Sequence, residues 1–218
     1  MNVQEHAQQD EPGAPPPVAL AAEAVANPPG LPAIGRWMIA RDATIAHWLG
    51  ETVDGKRLHE PVNVILIDEG ATSADHAKQR LVAASAAAGF PVRIGHSTGY
   101  HGFIGGMLYG QLPHGRDDAF SNRIFEESNN HGRVFGPHRF DGGYLFIAAF
   151  SRERVNLLEW PAHRYASFNE ARDAFALGLD TQTDFKASGF VPLGNAINDA
   201  QVTTGDHDGR AVLLRAPK

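Results

Sequence analysis

An apolar segment, PVNVILID at residues 61–68, most constrains how this 218-residue chain can fold. β-Branched and aliphatic residues with little alternation are typical of a strand that is buried on both faces. Such a strand needs a neighbour on each side and a covering layer on each face. We therefore expect this segment to be a central strand. Its mostly buried side chains should be those of Val62, Val64, Ile65 and Ile67.

A helix is predicted directly after this strand. Ser73 fits the N-cap position of an alanine-rich helix over residues 74–88, and Gly89 fits the position just after its C-terminus. Residues 90–94 then resume an extended, β-branched pattern. The order of strand, helix, glycine and strand predicts a β-α-β unit.

The stretch NNHGRVFGPHRFDGGYLFIAAF at residues 129–150 predicts a β-hairpin. Its first half alternates roughly between polar and apolar residues, the Asp-Gly-Gly at residues 141–143 is a turn signal, and the apolar residues 144–150 return. The polar half raises a question of function, because a strand with an apolar partner seldom carries histidine and arginine together.

Two of these polar residues, His131 and Arg133, are two positions apart and therefore face the same side of the sheet. His138 is seven positions from His131, so on an unbroken strand it faces the other side. A bulge at residues 136–137 would reset that alternation. The simplest structural interpretation of the polar face is a solvated hairpin.

Further elements are predicted along the rest of the chain. Residues 37–49 have an imperfect helical face, and a short helix is expected near residues 102–109. Residues 167–179 form a clearer helix, with Ser167 as N-cap and Glu170 completing a capping box. Short strands are expected at residues 189–191 and 211–214.

Together these elements predict one α/β domain over residues 35–218, a single layered domain with a mixed sheet and helices packed on it. Residues 1–34 are rich in proline and alanine without an apolar period, and we expect a disordered tail there. The tail does not show the basic and then apolar segments of an export signal. The chain is therefore expected in the cytoplasm, or in the periplasm or cell envelope if an export signal was trimmed.

Composition excludes several classes of function. A net charge of −6 gives no concentrated basic face for nucleic acid, and no apolar run is long enough for membrane insertion. The absence of cysteine excludes disulfides and thiolate chemistry and leaves any metal to histidine and carboxylate ligands. Neither a Rossmann or P-loop pattern nor a GxSxG serine elbow is present. The oligomeric state is not indicated.

Histidine is the main chemical clue, since the chain has 11 and five of them fall between residues 96 and 138. These five are His96, His101, His114, His131 and His138, and His163 lies just beyond. No HExxH zinc motif is present. The glycine-rich segment at residues 95–115 is expected to border any site and to supply His96 or His101.

The order of these pieces resembles the C-terminal domain of the LssY-type proteins, a bacterial family without an established activity. The matching motifs over residues 58–180 are PVNVILID, AAGF, HGRV, YLFIAAFS, AHRY and NEARDAF. The resemblance singles out His131, Arg133, His163 and Asp173. Two departures from the family pattern are Asn130, where many members have a second histidine, and SRER at residues 151–154, where an aspartate is common.

Convergence of His131, His163 and Asp173 would give a ligand set suited to a divalent metal, with Arg133 placed to bind a small anionic ligand. The predicted function is a metal-dependent hydrolase of an anionic or phosphate-bearing substrate, with His131, Arg133 and His163 as catalytic residues. The alternative is a non-catalytic accessory or interaction domain of the cell envelope, in which the histidine-arginine strand is a hydrogen-bonded hairpin.

Overall fold

The fold is a mixed, mostly β domain in which a large curled sheet carries two α-helices, as seen in a computed structural model that describes residues 18–114, 118–156, 158 and 162–218, without the side chains of residues 49–51. The predicted mixed sheet with helices packed on it is therefore present, although strands outweigh helices more than the α/β class implies.

The elements of the described chain have the following bounds. The helices are a 3₁₀ turn at Ala22–Ala24, α1 at Ala74–Ala87 and α2 at Asn169–Gln182. The strands are β1 Val25–Ala26, β2 Ile34–Gly35, β3 His47–Val53, β4 Lys56–His59, β5 Val64–Asp68, β6 Val92–Ile94, β7 His101–Ile104, β8 Met107–Leu112, β9 Asp118–Ser121, β10 Asn129–Phe140, β11 Gly143–Val155, β12 His163–Ser167, β13 Lys186–Pro192, β14 Val202–Thr203 and β15 Arg210–Ala216.

Strand β5 lies in the middle of the large sheet, as the apolar segment predicted. It pairs antiparallel with β11 on one side and parallel with β15 on the other. Val64 and Leu66 face the core beneath the helices, whereas Ile65 and Ile67 face a second core on the opposite side of the sheet. The main sheet runs β1-β2-β7-β8-β10-β11-β5-β15-β13, with β12 on β11 and the β6–β9 pair on β10.

The predicted β-α-β unit is only half right. The hydroxyl of Ser73 accepts a hydrogen bond from the His76 amide at the start of α1, and Gly89 follows the helix with φ +86°. However, β6 pairs with β9, and the parallel neighbour of β5 is β15 from the end of the chain. This pairing joins distant segments, so local sequence pattern does not reveal it.

Two helices predicted from weaker patterns are absent. Residues 37–39 are extended and form bridges with Pro61 and with residues near 45 and 101, and β3 begins at residue 47. Residues 102–109 form the β7–β8 hairpin, which turns at Gly105 and Gly106 with φ of +58° and +86°. Positive φ at both positions suits glycine and ends any helix there.

The hairpin of β10 and β11 is confirmed, and so is the bulge within it. The register shifts between Phe135 and His138, where three steps on β10 match two on β11. The shift returns His138 to the side of the sheet that carries His131 and Arg133. This face of β10 contributes Phe135 to the same core as Leu145 and Ile147.

The predicted cap at the start of α2 is only partly formed. The Ser167 hydroxyl accepts from the Glu170 amide at the start of α2, but the Glu170 carboxylate pairs with Arg152 instead of closing a capping box.

The N-terminal strands begin before residue 35, the expected start of the domain, and β1 and β2 pair and bury Ala26 and Ile34. Residues 1–17 lie outside the described chain. Among the described helices, none is long and apolar enough to cross a membrane.

Candidate functional site

The first half of β10 carries a buried polar face. Asn129, His131 and Arg133 alternate with Asn130 and Gly132, and all three side chains are buried. Gly132 points to the other face, where a Cβ would lie 2.5 Å from the ring of Phe150, its partner on β11. The missing side chain therefore leaves room for the Phe150 ring on that face, while the opposite face holds the polar residues.

A second histidine reaches this face from the loop that follows β6. The His96 ring stacks on the His131 ring with centroids 4.4 Å apart and planes 27° apart. Trp48 covers His131 from another side at 5.8 Å. The glycine-rich segment thus borders the site through His96, as expected, whereas His101 lies on β7 and pairs with residue 39.

The carboxylate of the site comes from β11. Glu153 pairs in register with Asn129 and so lies on the same face as His131. One ligand atom each from His96, His131 and Glu153 lies within 4.8 Å of the other two, and all three residues are buried. Sequence reasoning missed Glu153, although hairpin register together with the bulge would have placed it opposite Asn129.

Asn129 holds two members of this cluster in position. Its amide nitrogen donates to Oε1 of Glu153 at 2.6 Å and to the carbonyl of Glu127 at 2.8 Å. Because both partners are acceptors, the amide oxygen must face His131, whose Nδ1 lies 2.9 Å away. His131 therefore donates from Nδ1 and keeps the lone pair on Nε2.

The electrostatics keep both imidazoles neutral at neutral pH. Burial, with the nearby charge of Arg133, lowers the pKa of His96 to about 4. The same two causes hold the pKa of His131 well below its usual range. Burial raises the pKa of Glu153. Moreover, Nε2 of His96 is buried without a hydrogen-bond partner among the described residues, which is unusual for a polar atom in a protein interior.

His163 lies at the edge of the cluster, at the start of β12. Its Nδ1 is 3.3 Å from Oε1 of Glu153, although the described residues offer this nitrogen no well-aligned hydrogen bond. Phe125 stacks on its ring at 4.1 Å. With its side chain 20% exposed, His163 is the group that connects the buried carboxylate with solvent.

Arg133 is a buried cation without an ion pair among the described residues. One guanidinium nitrogen donates to the carbonyl and the hydroxyl of Ser97, both at 3.1 Å, and the guanidinium lies 5.1 Å from the Tyr100 ring centre. Its Nε has no described partner. Its charge opposes the rise that burial causes in the pKa of Glu60. Arg133 therefore retains capacity to bind an anion.

Asp173 does not join this cluster. It lies on α2 with its side chain 59% exposed and accepts a hydrogen bond at 2.7 Å from Arg172, which also binds Asp208. The predicted set of His131, His163 and Asp173 is thus only partly assembled. The structure brings together His131, Arg133 and His163, but the carboxylate beside them is that of Glu153.

Comparison with known proteins gives no relative for this arrangement. No family model, no curated protein and no solved structure matches the chain.

Proposed function

We propose that the chain binds a divalent metal ion through His96, His131 and Glu153 and hydrolyses an anionic substrate there. The observation that carries this proposal is the approach of their three ligand atoms to within 4.8 Å in a buried setting. Two histidines and one glutamate are a common ligand set of catalytic zinc sites, in which water occupies the remaining position.

The side chains suit a cation for three reasons. Both imidazoles are neutral and can donate lone pairs, and the Asn129 contact leaves Nε2 of His131 free to do so. Asn129 resembles the supporting residues that orient ligands in metal sites. Finally, the described residues place His163, but no arginine or lysine, within ion-pair distance of Glu153, so no permanently charged side chain competes with a metal for this carboxylate.

The surrounding residues have distinct roles in the proposed reaction. A divalent ion held by His96, His131 and Glu153 would supply an activated water as the nucleophile. His163, beside Glu153 and partly exposed, would accept the proton of that water and pass it to solvent. Arg133 binds the anionic group of the substrate and offsets charge that develops on it.

We also propose that the chain belongs to the LssY-type C-terminal domain family, as the resemblance implies. Of the four residues that the resemblance singles out, His131, Arg133 and His163 lie in or beside the cluster, whereas Asp173 does not. The rival function, a non-catalytic accessory or interaction domain of the cell envelope, is the conclusion to draw if the cluster binds no metal.

Metal analysis of protein purified without a histidine tag tests the proposal. We expect one equivalent of zinc, iron or manganese in the parent protein and metal-dependent hydrolysis of 4-nitrophenyl phosphate. Glu153→Gln should lose both. The matched control Glu170→Gln should keep both, because Glu170 pairs with Arg152 at the surface. A folded parent protein that takes up no metal would contradict the proposal.

A further inference from the structure

A groove of about 480 Å³ opens beside the histidine cluster. One side is formed by β6 and the other by the loop between β9 and β10. The lining residues are Val92, Arg93, Ile94, Gly95, Ile124, Phe125 and Glu126. A volume of this size is within the range of small-molecule sites in proteins.

The groove gathers apolar side chains that are exposed to water. Ile94 is 77% exposed, Ile124 48% and Val92 40%. These are three of the seven large hydrophobic residues that the described chain exposes. Single exposed apolar residues are ordinary, but several on one concave surface indicate a binding site.

Phe125 lines this groove and also contacts two of the histidines. Its ring lies edge-on to His96 with centroids 5.4 Å apart and stacks on His163 at 4.1 Å. Gly95 permits this placement, because a Cβ there would lie 2.8 Å from the Cβ of Phe125, and its φ of +101° favours glycine. A ligand in the groove therefore contacts an aromatic ring that itself packs against His96, a proposed metal ligand.

We infer that the substrate is an amphiphilic anion, with an aliphatic chain in the groove and its anionic, hydrolysable group at the histidine cluster. This inference rests on the proposed function and adds the substrate class. The charges lining the groove, Arg93 and Glu126, are one of each sign, so the groove itself has no net preference for an ion. An aliphatic chain gains affinity there only by burial.

A peptide strand paired with β6 is the alternative occupant. β6 pairs only with β9 among the described strands, but it has three residues and offers a short edge. The small amphiphile is therefore the better match, and the experiment separates the two.

Calorimetry with n-alkyl phosphates of increasing chain length tests the inference, with inorganic phosphate as the reference and zinc-loaded protein in the cell. We expect affinity to rise by about two- to fourfold for each added methylene until the groove is filled. The double variant Ile94→Ser/Ile124→Ser should lose this dependence while its zinc content and phosphate affinity stay unchanged. The control Leu177→Ser removes an exposed apolar residue of α2 and should retain the dependence.

Equal affinity for short and long chains in the parent protein would overturn the inference, as would a dependence that survives in the double variant. The same calorimetric series in EDTA, where no metal is bound, distinguishes failure of this inference from failure of the proposed function. Burial of the alkyl chain in the groove does not need the metal, so the dependence on chain length should persist in EDTA. Vesicles that contain the longest alkyl phosphate, compared with the compound in free solution, distinguish a membrane-borne from a soluble amphiphile. Binding in neither form contradicts the inference.

Discussion

Two histidines on the same face of β10 are equally buried but lie in different surroundings. His131 is 3% exposed and His138 2%. Nδ1 of His138 lies 2.9 Å from the Tyr109 hydroxyl, and Gly105 covers its ring so closely that a Cβ would lie 2.5 Å from Cε1. His131 instead has a second imidazole and a carboxylate beside it.

The comparison shows that burial alone does not mark a functional histidine. Burial lowers the pKa of His138 to about 4, just as it lowers the pKa of His96. His138 belongs to a packed contact between β10 and the β7–β8 hairpin. The distinguishing feature of His131 is the set of further ligand atoms within reach, held there by Asn129.

The largest expected effect is loss of the metal from one histidine variant and not from the other. His131→Ala should abolish stoichiometric zinc binding measured by calorimetry. His138→Ala should keep one zinc per chain but lower the free energy of unfolding by about 1–3 kcal/mol, because it removes a buried ring together with its contact to the partly buried Tyr109 hydroxyl. Equal zinc affinities in the two variants would remove the distinction between the histidines.

A smaller effect is expected at Asn129, which supports two ligands without being one. Asn129→Asp places an acceptor where Glu153 needs a donor, and we expect zinc affinity to fall by about 10- to 100-fold. Asn122→Asp is the matched control, because Asn122 uses only its side-chain oxygen, which accepts from the Asn130 amide. If both variants bind zinc like the parent protein, Asn129 does not orient the site.

Acid should destabilise the fold through both histidine environments. Below a pH of about 6.5 the unfolded chain protonates its histidines, whereas His96 and His138, with pKa lowered to about 4, stay neutral in the fold. The free energy of unfolding should therefore fall between about pH 6.5 and pH 4, by about 1.4 kcal/mol per pH unit for each such histidine. Glu153 acts in the opposite direction because burial raises its pKa.

Urea unfolding across this pH range measures that dependence. His138→Gln should weaken the pH dependence of the free energy of unfolding by the contribution of one histidine, with or without zinc. Saturating zinc should make the parent protein more sensitive to acid, because the metal would keep Glu153 deprotonated in the fold and so remove its opposing contribution. A free energy of unfolding that does not change with pH would show that these histidines are not held neutral.

The smallest expected effect is at Asp173. Asp173→Asn should leave zinc affinity unchanged and alter the free energy of unfolding by less than about 1 kcal/mol, because the residue is exposed and Arg172 keeps its bond to Asp208. Calorimetry and urea unfolding check both values. A marked loss of zinc would return Asp173 to the ligand set that the sequence suggested.

The sequence predicted local features of the fold better than distant pairings. β5, α1, the β10–β11 hairpin and the Ser167 cap are set by apolar pattern, turn residues and capping within a few positions. The pairing of β5 with β15 joins residues near 65 with residues near 213, and no local pattern records such a contact. The helix expected at residues 102–109 fails because two glycines favour a tight turn between short strands.

The same limit applies to the site. His131 and Arg133 follow from strand alternation, and His96 from its glycine-rich segment. Glu153 follows only from the cross-strand register, which the bulge at residues 136–137 shifts by one position. Resemblance and helix position favour Asp173, but the helix turns that side chain towards solvent and Arg172.

The most direct test of the central claim is anomalous X-ray diffraction at the zinc edge from crystals grown with zinc. We predict a single strong peak bounded by His96, His131 and Glu153, with nitrogen and oxygen ligands at about 2.0–2.2 Å. The cluster atoms now lie up to 4.8 Å apart, so small side-chain rotations should accompany binding. A map without density among these three residues, or with zinc at Asp173 instead, would contradict the account.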